Sequence, residues 1–296
     1  MNRKNYTMKR LWILNILVLC VLFTGQINAQ QKKLVWSDEF NYKGHPDPAK
    51  WEYEEAYYRR PIELQYYTVN RLENARCDGK NLIIELRKET PESFYPTSLN
   101  DQWHRYTSAA VNTRNTAYWG PNVRVEVRAK LPKGPGTWPA IWFLSPIRTA
   151  DIPGPHAPKD STGKQIQFPR RGPGGGESSQ GEIDMCEAWG SRPNVTNVYI
   201  HGTKGPNPSA HYKHQDDIYE TFHVYAMNWY SDHIDFFRDE TKILTYTKDE
   251  KTGWSFDKPL YLIMNIAAGG IDEPAPADEI LPQQMVVDYV RVYELK

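Results

Sequence analysis

The chain has 296 residues but only three cysteines, no excess of charge of either sign and a single long apolar run. Three cysteines cannot make a disulfide framework at this size. Cys77 and Cys186 are the two outside the N-terminal leader. Cys186 lies in an apolar strand pattern, where a thiol packs as a small hydrophobe, so both are expected to be unpaired. Basic and acidic residues balance at 36 each. Without Arg3, Lys4, Lys9 and Arg10 of the leader, 32 basic residues face 36 acidic ones, a net charge of −4. That chain lacks the concentrated basic surface a nucleic acid needs. The apolar run covers 11–23, is broken by Asn15, and is shorter than the roughly 20 residues that span a bilayer. Basic residues before it and small Ala29 after it predict a signal peptide over 1–29, cleaved near Ala29, and a secreted or periplasmic protein. Bulky Leu19 before Cys20 argues against a lipid anchor. No later segment reads as a membrane span. Ser-His-Asp and zinc-ligand patterns are missing. The glycine-rich stretch GGGESSQG at 174–181 lacks the Lys-Ser/Thr of a phosphate loop. There is no internal repeat and no convincing helical stripe.

What is present is aromatic and strand-forming. Phe, Trp and Tyr make up 13% of the chain. Residues 123–131 alternate apolar and charged for nine positions, a period of two that puts one face on a core and one in water. Residues 82–86, 198–201, 222–229, 234–238, 260–268 and 285–293 also read as strands, and 138–144 as a strand covered on both faces. Many short strands separated by Gly, Pro and Asn predict an all-β sandwich. Length predicts one domain over 30–296. Residues 146–180 carry six prolines and the run Gly172 to Gly176, which fits neither a ladder nor a helix. They are expected to form a surface loop.

The strand after that loop carries the chemistry. Over 181–190 it reads GEIDMCEAWG. Strict alternation places Glu182 and Asp184 on one face and Ile183 and Met185 on the other. Glu187 falls on the wrong face of a regular strand, and one β-bulge at Met185-Cys186 would bring it back. With one residue absorbed, the two Glu Cα atoms stand about 13 Å apart at roughly 3.3 Å per residue. Side chains reaching roughly 4 Å each and leaning together leave about 5 Å. Glycosidases that retain anomeric configuration hold their carboxyls about 5–5.5 Å apart, and inverting ones about 6.5–9.5 Å. Three crowded acids repel, which favours a proton on one of them. A protonated Glu beside an ionised one suits acid-assisted glycosidic cleavage. A solvated acidic face and a calcium site are the other readings of the same trio.

At these residues the sequence resembles the family 16 glycoside hydrolases, in particular their laminarinase-like branch. Glu182, Asp184 and Glu187 match the catalytic pattern Glu-x-Asp-x-x-Glu. The likeness continues in LVWSDEF at 34–40, ELQYYT at 63–68, YTSA at 106–109 and VRVEVRAKLPKGPGTWPAIWFL at 123–144. It extends to FHVYAMNW at 222–229, LIMNIAAGG at 262–270 and MVVDYVRVY at 285–293. The resemblance implies a jelly roll of two curved antiparallel sheets with a concave substrate cleft. It implies Glu182 as nucleophile, Glu187 as general acid/base and Asp184 as the partner of the nucleophile. It also implies sugar contacts from Trp138 and Trp142, with core packing as the alternative for each, and from Glu63, Gln65 and Asn265. His201 is expected near the leaving group, and Trp103, Trp119 and Trp189 are further cleft candidates. Catalysis would need no cofactor. A structural calcium is implied at the carbonyls of Glu39 and Gly79 and the side chain of Asp288.

The expected activity is retaining endo-hydrolysis of a β-1,3-linked, laminarin-like glucan by a secreted monomer with a polysaccharide substrate. Ala110 stands where laminarin-cleaving relatives commonly carry a basic residue. Some relatives cut internal β-galactosides of mucin or keratan-type glycans, and that is the alternative substrate class. A lectin-like module without catalysis is the reading from another class, although a lectin does not need a crowded acid trio.

Overall fold

The computed structural model describes residues 33–55, 63–93, 104–146, 181–202, 207–249, 253–270 and 273–296. The expected signal peptide, most of the expected 146–180 loop and Trp103 lie outside them. Lys32–Lys296 forms one compact unit. No described helix is long and apolar enough to cross a membrane.

Two β-sheets make up the unit. The first has seven strands, in the order β13 (Ser209–Lys213), β12 (Val195–His201), β11 (Glu182–Ala188), β10 (Thr137–Leu144), β17 (Tyr261–Ala268), β8 (Ala110–Asn112) and β3 (Glu52–Tyr53). The second follows β16 (Thr241–Thr247), β15 (His233–Arg238), β14 (His223–Trp229), β9 (Val123–Lys130), β18 (Gln283–Glu294), β6 (Leu82–Lys88), β5 (Ala75–Asp78) and β2 (Lys43–Gly44). Here β1 (Lys33–Asp38) pairs with β18, and β7 (Tyr106–Ser108) joins β6 to β4 (Gln65–Tyr67). Among the described residues, every strand pairing is antiparallel except β4 with β7. This is the jelly-roll sandwich expected from the alternating pattern.

The pattern explains the layers. On β9, Val125, Val127 and Ala129 are fully buried, while Glu126, Arg128 and Lys130 between them are only partly covered. On the seven-stranded sheet, Ile141, Phe143, Ile183, Met185, Cys186, Val198, Ile200, Leu262, Met264 and Ile266 join one core cluster with Val125, Val127, Met227 and Val290 of the other sheet. Each such side chain contributes about 1.5–3 kcal/mol of transfer free energy. The opposite face of the seven-stranded sheet has its own small apolar cluster, Ala140, Trp142, Leu144, Tyr261 and Ile263. The expected both-face coverage of 138–144 is therefore correct, with a different cluster on each side. Cys77 and Cys186 are unpaired and buried.

Nine strands, β1 to β5, β7, β8, β13 and β16, lie outside the stretches that read as strands. Both β13, with no buried residue, and β16, where only Tyr246 is buried, lie at the edges of their sheets. An edge strand with little buried surface carries little apolar alternation to read.

Candidate active site

The bulge predicted from parity is present. Asp184 pairs with Tyr199 and Glu187 with Asn197, so Met185 and Cys186 together face only Val198 on β12. On the other side, Cys186 pairs with Ile141 and Asp184 with Trp142, which leaves Met185 without a register partner. The extra residue rotates Glu187 onto the face of Glu182 and Asp184, while Ile183, Met185 and Cys186 enter the core. Glu182 and Asp184 are buried, and Glu187 is partly exposed.

Register sets the surroundings. Across β11, β10 and β17, Glu187 lines up with Ala140 and Asn265, Asp184 with Trp142 and Ile263, and Glu182 with Leu144 and Tyr261. On β12, His201 stands beside Glu182, Tyr199 beside Asp184 and Asn197 beside Glu187. The acids thus occupy a stripe between an apolar floor and a polar and aromatic wall.

Each acid is held by a neighbour. The indole Nε1–H of Trp138 donates to Glu187 Oε1 at 2.9 Å. His201 Nε2 lies 3.0 Å from Asp184 Oδ2 and 3.8 Å from Glu182 Oε1. Asn207 Nδ2 lies 2.8 Å from His201 Nδ1 and fixes the ring from behind. Glu182, Asp184 and His201 place ligand atoms within 4.8 Å of one another, so this group could also receive a cation. Trp189 packs on Trp138 at 6.3 Å and edge-on against Tyr199 at 5.9 Å.

A second polar line sits one strand further on. Trp142 Nε1 donates to Asn265 Oδ1 at 2.8 Å, and Asn265 Nδ2 donates to the Tyr67 hydroxyl at 2.9 Å. Gln65 Nε2 donates to Glu63 Oε2 at 3.0 Å, and Gln65 Oε1 accepts from the amide of Ala268 at 2.7 Å. The structure therefore places Trp138, Trp142, Trp189, His201 and Asn265 on or beside the three strands that carry or flank the acids, and Glu63 and Gln65 one strand further, against Ala268 of β17.

Trp119 is a correction. It is 8% exposed, belongs to the core cluster and stacks edge-on with Trp36 and Phe143 at 5.2 and 6.4 Å. Its backbone bridges Leu260, which points the indole between the sheets and away from the acid face. Two of the residues expected to bind calcium have side chains engaged by arginines. Asp288 sits at a bulge between Val287 and Tyr289, and its carboxylate accepts from Arg128 Nη1. The Glu39 carboxylate is paired with Arg291, which holds it below the usual carboxylate range.

Sequence reasoning missed Tyr199, Asn197, Tyr67 and Asn207. Tyr199 and Asn197 lie two and four residues before His201 on one strand, so alternation from His201 could have found them. Tyr67 and Asn207 reach the site through loops and a neighbouring sheet, and no local pattern carries that information.

The model of the family described as "Glycosyl hydrolases family 16" matches residues 158–291. The chain is 36% identical to a "Beta-glucanase" of Rhodothermus marinus over 99% of this chain and 96% of that protein. It is 30% identical to a "Keratan-sulfate endo-1,4-beta-galactosidase" of Sphingobacterium multivorum over 89% of this chain and 55% of that protein. Among solved structures it is similar to the laminarinase from Rhodothermus marinus, with a TM-score of 0.71 and 37% identity over 89% of this chain and 97% of that one. The endo-beta-1,3-glucanase from Pyrococcus furiosus gives a TM-score of 0.72 at 32% identity, over 90% of this chain and 95% of that one.

Proposed function

Because the chain belongs to the glycosyl hydrolases of family 16, we propose that it is a retaining endo-β-glycosidase acting on a β-1,3-linked glucan. The observation that carries this reading is the bulge at Met185-Cys186, which turns three carboxylates to one face. In the proposed cycle Glu187 protonates the leaving oxygen while Glu182 attacks the anomeric carbon. A glycosyl-enzyme ester forms and the glycosidic C–O bond breaks. Glu187 then takes a proton from water, whose oxygen attacks the same carbon and releases Glu182. Configuration is inverted twice and so retained.

The remaining roles follow from the contacts. Asp184, 3.0 Å from His201 Nε2, sits between nucleophile and acid, where it can share a proton with either. Trp138 orients the Glu187 carboxylate and offers its ring face to a sugar. Trp142, Asn265, Gln65 and Glu63 form a pre-set polar and aromatic floor for further sugar units. The cycle uses carboxylates and water alone. A structural calcium at the carbonyls of Glu39 and Gly79 and the side chain of Asp288 would share the Asp288 carboxylate with Arg128, which bonds its Oδ2. Two carbonyl oxygens and a carboxylate are the kind of donors a hard cation takes, and no step of the cycle depends on one.

The likeness to the keratan-sulfate endo-galactosidase supports a second reading, in which the same acids cut internal β-galactosides. Digestion of laminarin, mixed-linkage glucan and keratan-type glycans, with products sized over time, separates the two. Short laminarin oligosaccharides released from within the chain support the first reading. Products only from the galactosides overturn it. Glu182→Gln should abolish turnover while oligosaccharide binding remains, and normal turnover by that variant would remove the assigned nucleophile. We further propose export after cleavage near Ala29 and action as a monomer. N-terminal sequencing and sedimentation of the secreted protein test both.

A further inference from the structure

A second cluster of ligating side chains lies outside the acid face. His214 follows β13, Asp216 is in the connection after it, and His223 opens β14. This is where the chain passes from the seven-stranded sheet to the eleven-stranded one. One ligand atom from each of the three lies within 4.8 Å of the others. His214 and His223 are each 4% exposed, whereas the Asp216 side chain is 55% exposed.

The details favour a metal ligand set over a plain ion pair. His223 Nδ1 lies 2.9 Å from Asp239 Oδ2, the contact that fixes a tautomer with the proton on Nδ1 and the lone pair on Nε2. That Nε2 atom is buried and has no hydrogen-bond partner among the described residues. A buried polar atom without a partner is costly unless something else satisfies it. The Asp216 Oδ2 atom stands 3.5 Å from it. Ligands at about 2.0–2.2 Å around a tetrahedral zinc are separated by about 3.4 Å. Exposed Asp216 needs only a small swing to share an ion with His223.

His214 completes the set from the other side. Its Nε2 lies 3.0 Å from Thr196 Oγ1, and its ring meets that of His223 at 4.8 Å between centroids. Two cations oppose a metal here. Arg238 is already engaged by Thr196 and by the carbonyls of Met185 and Asn197, and Arg128 by Asp288. Asp216 and Asp239 supply the compensating charge.

We propose that His214, Asp216 and His223 form a binding site for a divalent transition metal of the zinc type, with Asp239 orienting His223. Two imidazoles and one carboxylate select such an ion over calcium or magnesium. Water would take the fourth position. The bound ion would tie the crossover between the sheets and leave the acid face untouched.

Metal-stripped full-length protein titrated with cobalt(II), followed by its visible absorption, tests this. One ion per chain with a tetrahedral spectrum, displaced by zinc, is expected. His223→Gln should abolish the spectrum. Asp216→Ala, whose exposed side chain can be lost without disturbing the fold, should weaken binding at least tenfold. His201→Gln, on the acid face, should leave it unchanged. Absence of uptake, uptake that survives both His223→Gln and Asp216→Ala, or uptake lost in His201→Gln would each overturn the site.

Discussion

Arg238 donates from Nη2 to the carbonyl oxygen of Met185 at 2.9 Å, reaching from the eleven-stranded sheet to the bulge of the other. Met185 has no register partner on either neighbouring strand. The same guanidinium bonds Thr196 Oγ1 at 2.8 Å and the Asn197 carbonyl at 3.4 Å, and it is 1% exposed. Arg238 thus braces the kink that turns Glu187 toward Glu182. Arg238→Met keeps the volume but leaves these acceptors unpaired, at about 1–3 kcal/mol for each buried group. A lower melting temperature and a fall in kcat larger than the change in KM are expected. Arg238→Lys should recover part of both, because an ammonium cannot reproduce the planar fork. Unchanged melting and kcat in Arg238→Met would remove the bracing role.

The indole of Trp138 both stacks and donates, and the two functions separate in Trp138→Phe. That variant keeps an aromatic face but loses the bond from Nε1 to Glu187 Oε1. A hydrogen bond to a charged group is worth about 1.5–3 kcal/mol, so kcat/KM should fall roughly 10–100-fold. If stacking alone matters, kcat/KM of Trp138→Phe will stay near the parent value while Trp138→Ala collapses. Steady-state kinetics on one defined oligosaccharide decides between them.

Gly270 holds that indole by its lack of a side chain. Its backbone has φ +153, and a Cβ there would lie 2.5 and 2.7 Å from two atoms of the Trp138 ring. Gly270→Ala must push the ring away from Glu187. The expected result is a shift in tryptophan emission and a loss of kcat/KM similar to that of Trp138→Phe, with a lower melting temperature from the strained backbone. Parent-like kinetics and emission would mean that the ring has room to move without losing its bond.

The acid trio and the sandwich were legible because both follow from period-two alternation. Residues 123–131 alternate, and β9 buries its apolar half. The break of parity between Glu182 and Glu187 demanded a bulge, and the register contains it. What alternation cannot encode is the meeting of distant segments. Arg238 lies 53 residues from Met185, and nothing local to either predicts their bond. Trp119 went astray for the same reason: its type suits a sugar cleft or a core equally, and only its bridge to Leu260 settles which side it faces. Asp288, set within an apolar run, is rotated outward by a bulge toward Arg128, which the run itself does not reveal.

The cysteines supply a prediction independent of substrate. Burial pushes the thiols of Cys77 and Cys186 up to about 12. Cys186 sits one residue from Glu187 with its side chain in the core, 1% exposed. The thiolate is the reactive species, so at pH 8 the thiolate fraction is of order 10⁻⁴ even before access is considered. The native protein lacking residues 1–29 should therefore not react with a disulfide reagent on the minute scale, and two thiols should appear once a denaturant unfolds it. The midpoint at which Cys186 becomes reactive should coincide with loss of hydrolysis, since the bulge that carries the acids and the core behind it are one piece of strand. Cys186→Ser would place a hydroxyl among apolar neighbours at about 1–3 kcal/mol and move that midpoint to lower denaturant. Rapid labelling of the folded enzyme at Cys186 would show that the strand opens locally, and that its two faces are not coupled.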